Sequence, residues 1–184
     1  MTARPPDGPL LWNVAGLLGD GAGATRAYDV ADVRIGLPDD LALADPIAGH
    51  VRLTRTNRGV VAHATLATAL AAECSRCLRP ARVPLELLID DEYLPSIELT
   101  TGAPVPTTDE PEALRLTDHH ELDLEGSVRD AIVMAEPIAP LDRPDCPGLC
   151  VVCGEPLDVG VHDHPDDETD PRLEALRAFR VDDG

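Results

Sequence analysis

The sequence has no lysine. All 15 of its basic residues are arginines, set against 34 aspartates and glutamates, and the formal charge is −19. A surface this acidic repels phosphate backbones, which excludes wrapping nucleic acid by bulk electrostatics; it suits a soluble protein that binds a basic partner. Aromatics are nearly missing: Trp12, Tyr28, Tyr93 and Phe179 are the whole set. The core must therefore be built from Leu, Val, Ala and Ile. No apolar run approaches the length that spans a membrane. The start, Met1-Thr-Ala-Arg-Pro-Pro-Asp-Gly-Pro9, has no apolar stretch behind its lone arginine of the kind a secretory leader carries. The expected location is the cytoplasm. In that reducing compartment clustered cysteines read as metal ligands or redox groups, not as structural disulfides, and the odd total of five argues against a pure disulfide framework.

What is present is a chain of 184 residues, enough for one domain with a real core. Leu10 to Val14 reads as a short strand, Gly19 to Gly23 as a loop, and Tyr28 to Ile35 as a second strand. The clearest pattern follows. Ile47, Gly49, Val51 and Leu53 alternate with polar or small residues; Asn57-Arg58-Gly59 is turn chemistry; Val60, Ala62, Ala64 and Leu66 then alternate with His63 and Thr65. Two alternating runs around a short glycine-containing turn predict a hairpin. A third run puts Val83, Leu85, Leu87, Ile89 and Tyr93 on one side and Arg82, Glu86, Asp90 and Glu92 on the other. This is the signature of a half-buried antiparallel sheet, with Pro84 assigning the third run to an edge. Leu124, Val128, Ala131, Ile132 and Ala135 recur at helical spacing between Asp123 and Pro137. A final short helix is expected from Asp170-Pro171-Arg172, docked by Leu173, Leu176 and Phe179.

Cysteine carries the chemistry. Cys74-Ser-Arg-Cys77 and Cys150-Val-Val-Cys153-Gly154 are two Cys-x-x-Cys knuckles, each able to offer two thiolates from one turn. Zinc takes four such ligands in a tetrahedron. Gly154 supplies the positive φ that lets the chain turn after the second ligand; the first knuckle has Leu78 there. The expectation is one structural Zn2+ held by Cys74, Cys77, Cys150 and Cys153, a clamp that closes a long loop. Cys146 is surplus, either a replacement ligand or a free neighbour; His162 and His164 are reserve ligands in an acidic loop. Two catalytic alternatives exist. A redox Cys-x-x-Cys needs a helix N-terminus or a cation to favour its thiolate, and Arg76 is the available cation. A zinc deaminase carries His-x-Glu and Pro-Cys-x-x-Cys; here His119-His120-Glu121 precedes Cys150, but Leu149 stands in place of the proline, and Cys74 and Cys77 are left without a role.

Several segments, taken together, resemble a known family: Ile47-Ala-Gly-His-Val-Arg-Leu53; Gly59-Val-Val61; Glu73-Cys-Ser-Arg-Cys-Leu-Arg-Pro80; Leu122-Asp-Leu-Glu125; an apolar helix ending Glu136-Pro137; Arg143-Pro-Asp-Cys-Pro-Gly-Leu-Cys-Val-Val-Cys-Gly154; His162-Asp-His164; and Asp170-Pro-Arg172. The chain resembles the YceD family, large ribosomal RNA subunit accumulation proteins, in its actinobacterial form, from about Leu10 onward. Members of this form often carry a further cysteine where this chain has Asp142, and a Trp where it has Leu173. The expected organisation is a single domain over 1–184, with 1–9 a disordered tail, 95–120 a mobile loop and 142–170 the cysteine knuckle and acidic loop. The expected fold is α+β: an antiparallel, partly barrel-like sheet, two helices in the C-terminal half, and a zinc-knuckle clamp. The implied role is non-enzymatic, a ribosome-assembly factor promoting accumulation of large-subunit ribosomal RNA. Its expected partner is a basic large-subunit ribosomal protein and/or pre-ribosomal RNA, alone or in a pre-ribosomal particle. Any RNA contact is assigned to a local patch of Arg52, Arg55, Arg58, Arg76, Arg79 and Arg82. The alternative is a zinc- or thiol-dependent enzyme.

Overall fold

The structure is a computed structural model that describes residues 10–38, 41–106, 110–164 and 172. Its elements are β1 (Leu11–Asn13), α1 (Ala15–Gly19), β2 (Thr25–Val33), β3 (Ala42–Arg55), β4 (Val60–Glu73), β5 (Pro80–Tyr93), β6 (Glu121–Asp123) and α2 (Glu125–Ala135). β2, β3, β4 and β5 form an antiparallel meander in that order, and β1 pairs antiparallel with β6. The fold is α+β.

The expected hairpin is β3–β4, and it is longer than the alternation alone suggested. Val51 lies opposite Ala64 and Leu53 opposite Ala62; on the far side Ala64 lies opposite Ile89 and Leu66 opposite Leu87. Strict period-two alternation puts all of these on one face, and all are buried. The turn closes because Thr56 Oγ accepts from the backbone N–H of Gly59 at 2.9 Å. A Cβ at Gly59 would collide with the Tyr93 carbonyl, so the turn can press against the end of β5 only without a side chain.

The buried face is not covered by closing the sheet on itself. β2 and β5 remain open edges, which corrects the expectation of a partly barrel-like sheet. The physical reason lies in the second layer. Leu10, Trp12, Val14 and Leu17 from the first segment and Leu122, Leu124, Val128 and Ile132 from β6 and α2 are all buried in one cluster with the sheet face. With a covering layer of that size, closure is not needed to remove the apolar face from water. Each fully buried aliphatic contributes about 1.5–3 kcal/mol. Pro84, which has no N–H, sits on β5 at the edge, where it discourages a further strand.

The two described helices are α1 and α2. α2 matches its expected span; Asp123 Oδ1 accepts from the N–H of Glu125 at 2.9 Å, and Glu136 turns extended ahead of Pro137. α1 falls between the strand expected at Leu10 to Val14 and the loop expected from Gly19, where no element is expected; its five residues, Ala-Gly-Leu-Leu-Gly, are too few to show a helical period. The helix expected from Asp170 lies outside the described residues apart from Arg172, as does the 1–9 tail. Within 95–120, the described part is tied down at several points. Leu94 exchanges backbone hydrogen bonds with Leu114 and Leu116 at 2.9 Å each, and Leu116 is buried in the core. Among the described residues no helix is long and apolar enough to cross a membrane.

Candidate metal centres

The two knuckles are the same backbone device. In the first, Cys74 N–H donates to the Arg79 carbonyl at 2.8 Å and Leu78 N–H to the Cys74 carbonyl at 2.9 Å. In the second, Cys150 N–H donates to the Glu155 carbonyl at 2.8 Å and Gly154 N–H to the Cys150 carbonyl at 2.9 Å. The residue after the second cysteine has positive φ in both, 60° at Leu78 and 73° at Gly154. Such a turn aims two sulfurs the same way and points backbone N–H groups at them, which favours the thiolate, the form that binds a metal.

The first knuckle caps the β4–β5 connection. Its backbone is held by the segment after α2: Ser75 N–H donates to the Pro140 carbonyl at 2.8 Å. That segment brings in Asp142 and Cys146. Cys74 Sγ lies 3.2 Å from Asp142 Oδ1 and 3.7 Å from Cys146 Sγ. Cys74, Cys77, Asp142 and Cys146 each offer one donor atom, all within 4.8 Å of one another. The three cysteines are buried. Burial pushes the Cys74 thiol up, but backbone N–H groups of Asp142, Arg76 and Cys77 outweigh it and hold it below the ordinary thiol range. The Asp142 carboxylate accepts from Cys146 and is held down to about 2, first by that bond. The same bond, with burial, pushes Cys146 up to about 12. Arginines close the rim. Arg79 Nε donates to Cys77 Sγ at 3.3 Å, its Nη2 lies 3.4 Å from Asp142, and Arg76 Nη1 donates to the Cys146 carbonyl at 2.9 Å.

The second knuckle gathers a different set. Cys150, Cys153, His162 and His164 also hold their donor atoms within 4.8 Å of one another. His162 Nε2 lies 3.0 Å from the Pro156 carbonyl, which can only accept, so Nε2 carries the proton. The lone pair of His162 is then on Nδ1, 3.4 Å from Cys153 Sγ. His164 Nε2 is buried without a hydrogen-bond partner, a costly state unless another group uses that ring. Cys150 is held down to about 6, first by the backbone N–H groups of Cys153 and Val152, which outweigh burial, and further by the Cys153 side chain and His164.

The four expected ligands are therefore placed two and two. Cys146, left over in the sequence, joins the first pair, and His162 and His164 join the second. Asp142 is the donor that composition hides, as one of 34 acidic residues; its signals are the spacing to Cys146 and its place where the resembled form often has cysteine. Glu121 lies in β6 and accepts from Thr117 Oγ1 at 3.2 Å; it belongs to neither group, so a deaminase-like arrangement does not form around it. The six candidate arginines do not make one free basic surface. Arg55 donates to the Leu18 and Gly59 carbonyls, Arg58 pairs with Glu92 and Glu110, Arg82 pairs with Asp45, and Arg76 and Arg79 serve the first knuckle. Arg52 has no side-chain partner among the described residues.

Residues 62–180 match the model of the family described as Large ribosomal RNA subunit accumulation protein YceD. The uncharacterized protein Rv2926c of Mycobacterium tuberculosis is 34% identical over 126 residues, 68% of this chain and 58% of that protein. The uncharacterized protein Mb2951c of Mycobacterium bovis has the same figures. The uncharacterized protein ML1660 of Mycobacterium leprae is 31% identical over 126 residues, 68% of this chain and 55% of that protein. The match thus spans less than two thirds of the length of these relatives. No solved structure matches the chain.

Proposed function

Because the chain belongs to the YceD family of large ribosomal RNA subunit accumulation proteins, we propose that it is a cytoplasmic, non-enzymatic ribosome-assembly factor that binds a basic large-subunit ribosomal protein, alone or within a pre-ribosomal particle. The observation that carries the choice of a protein over bare RNA is a groove between β5 and α2. Asp90, Asp91, Asp123 and Asp130 line it, with Arg115 the single cation among the described residues. Leu88 and Met134, 73% and 86% exposed, give it apolar contacts. Carboxylates around exposed aliphatic side chains suit a basic amphipathic segment. The arginines that would have to touch phosphate are, apart from Arg52, engaged within the chain. The cysteine centres have a structural part in this reading: Zn2+ there fixes the shape of the end of the sheet opposite the β3–β4 turn.

The test is retention of purified large-subunit ribosomal proteins, and separately of pre-ribosomal RNA, on the immobilised chain over a salt series. The expected result is retention of a basic protein that weakens steeply with salt and weakens further in Leu88→Asp and Asp91→Asn. Retention of neither class at low salt would sink the proposal, and retention of naked RNA alone would move the contact to Arg52. The second reading, a zinc- or thiol-dependent enzyme, is supported by the backbone N–H groups of Cys153 and Val152 that face Cys150 and favour its thiolate. Two fast-titrating thiols with no bound zinc would support it.

A further inference from the structure

We propose that the chain holds two separate zinc-class ions, one in a Cys3Asp centre of Cys74, Cys77, Cys146 and Asp142, and one in a Cys2His2 centre of Cys150, Cys153, His162 and His164. This rests on the reading of the cysteines as structural ligands and not on the ribosomal role.

Three observations carry it. First, each knuckle is a complete two-thiolate turn with its own hydrogen-bonded backbone, and each has recruited two further donors from elsewhere in the chain. A tetrahedral ion needs four, and each group has four. Second, the surroundings of the first centre match the charge of its ligand set. Three thiolates and a carboxylate leave a divalent ion two negative charges in excess. Arg79 and Arg143 lie there: Arg79 Nη2 is 3.4 Å and Arg143 Nη1 3.8 Å from Asp142 Oδ2. Two thiolates and two neutral imidazoles leave a divalent ion neutral, so the second set calls for no balancing cations. Third, the imidazoles are prepared. The Pro156 carbonyl fixes the tautomer of His162 with Nδ1 free toward Cys153, the hydrogen-bonding arrangement that orients a ligating histidine. His164 has a buried ring nitrogen without a partner.

The centres are joined but not shared. Asp158, between Cys153 and His162 in the chain, pairs with Arg79 at 2.8 Å and Arg143 at 2.7 Å. The second loop is thus fastened to the rim of the first centre through side chains. Loading each centre exchanges thiol protons for the metal; the proton that Cys146 shares with Asp142 goes to solvent, and no electron moves.

Native mass spectrometry and elemental analysis of the full chain, reconstituted with zinc alone, test this. Wild type should carry two ions. Cys74→Ser should carry one, and so should His162→Ala, with the double variant carrying none. One ion in wild type, lost in both Cys74→Ser and Cys150→Ser, would establish a single four-cysteine clamp and overturn the proposal; so would two ions retained in a His162→Ala, His164→Ala double variant, or no ion in wild type. If a cysteine variant fails to fold, cobalt titration of wild type decides. Two equivalents with unequal thiolate-to-cobalt absorption are expected, the stronger from the three-thiolate centre, and saturation at one equivalent overturns it. The count is made on the isolated chain, so failure to find a ribosomal partner leaves it standing, and a wrong count leaves the partner untouched.

Discussion

Leu78 and Gly154 hold the same position in two copies of one turn, and the difference between them is an energy. An L-residue with a side chain at φ 60° brings Cβ against its following carbonyl at a cost of about 1–2 kcal/mol, which glycine avoids. Leu78 is 62% exposed, so little packing offsets the strain. Leu78→Gly should therefore raise stability, by about 0.5–1 kcal/mol once the extra flexibility of glycine in the unfolded chain is subtracted; a denaturant midpoint that falls would show that the Leu78 side chain makes an interaction worth more than the strain. Asp142 is the other residue whose identity sets a property. A carboxylate is a harder ligand than a thiolate, so Asp142→Cys should hold zinc more tightly and Asp142→Ala more loosely, read by competition with a chromophoric chelator. Equal affinity in all three would remove Asp142 from the ligand set.

At the level of elements, β5 and α2 are joined by Tyr93, whose hydroxyl lies 2.7 Å from Ser127 Oγ. Burial first, partly opposed by the Ser127 bond, pushes Tyr93 up to about 12. A tyrosine with a folded pKa above its unfolded value near 10 stabilises the fold fully below the unfolded value, and the contribution is lost as pH rises through the folded one. Between about pH 10 and 12 the wild type should lose on the order of 2 kcal/mol more than Tyr93→Phe, at about 1.4 kcal/mol per pH unit, measured by denaturant melts at each pH. The absence of lysine removes the usual competing titration in this window. Parallel losses in the two proteins would show that Tyr93 ionises as readily folded as unfolded. The strands around it were legible in the sequence because one face is apolar and the other polar at every second residue, as from Ala62 to Leu66. α2 was legible for the same kind of reason, its buried Val128 and Ile132 falling on one stripe. α1 was not, because five residues contain little more than one turn. Nor was the open sheet: alternation reports that a face is buried, not whether a second layer or the sheet itself buries it.

For the whole molecule, the cysteines belong to a region apart from the main core. Cys74, Cys77 and Cys146 cluster with Ala81, Leu141 and Leu149, while the sheet face packs against Trp12, Leu122, Val128 and Ile132 in a cluster of its own. The cysteine spacing suggests one group of four, whereas the structure sets Cys74 and Cys77 beside Asp142 and Cys146, and Cys150 and Cys153 beside His162 and His164; spacing along a chain says nothing about which pair a distant donor such as Asp142 or His162 will approach. The separation of clusters has a consequence for metal removal. An ion bound only by the folded state adds its binding free energy to stability, so a strong chelator should lower the melting temperature by several degrees or more. The sheet should nevertheless persist, since its covering layer is apolar and contains no ligand. Amide exchange in the chelated protein is expected to quicken at 74–79 and 140–164 while Val51, Ala64 and Leu87 stay protected, the pattern of local opening rather than global unfolding. Uniform loss of protection across β3, β4 and β5 would mean instead that the metal region and the sheet fold as one cooperative unit, and that the cysteine centres are a condition of the fold rather than an attachment to it.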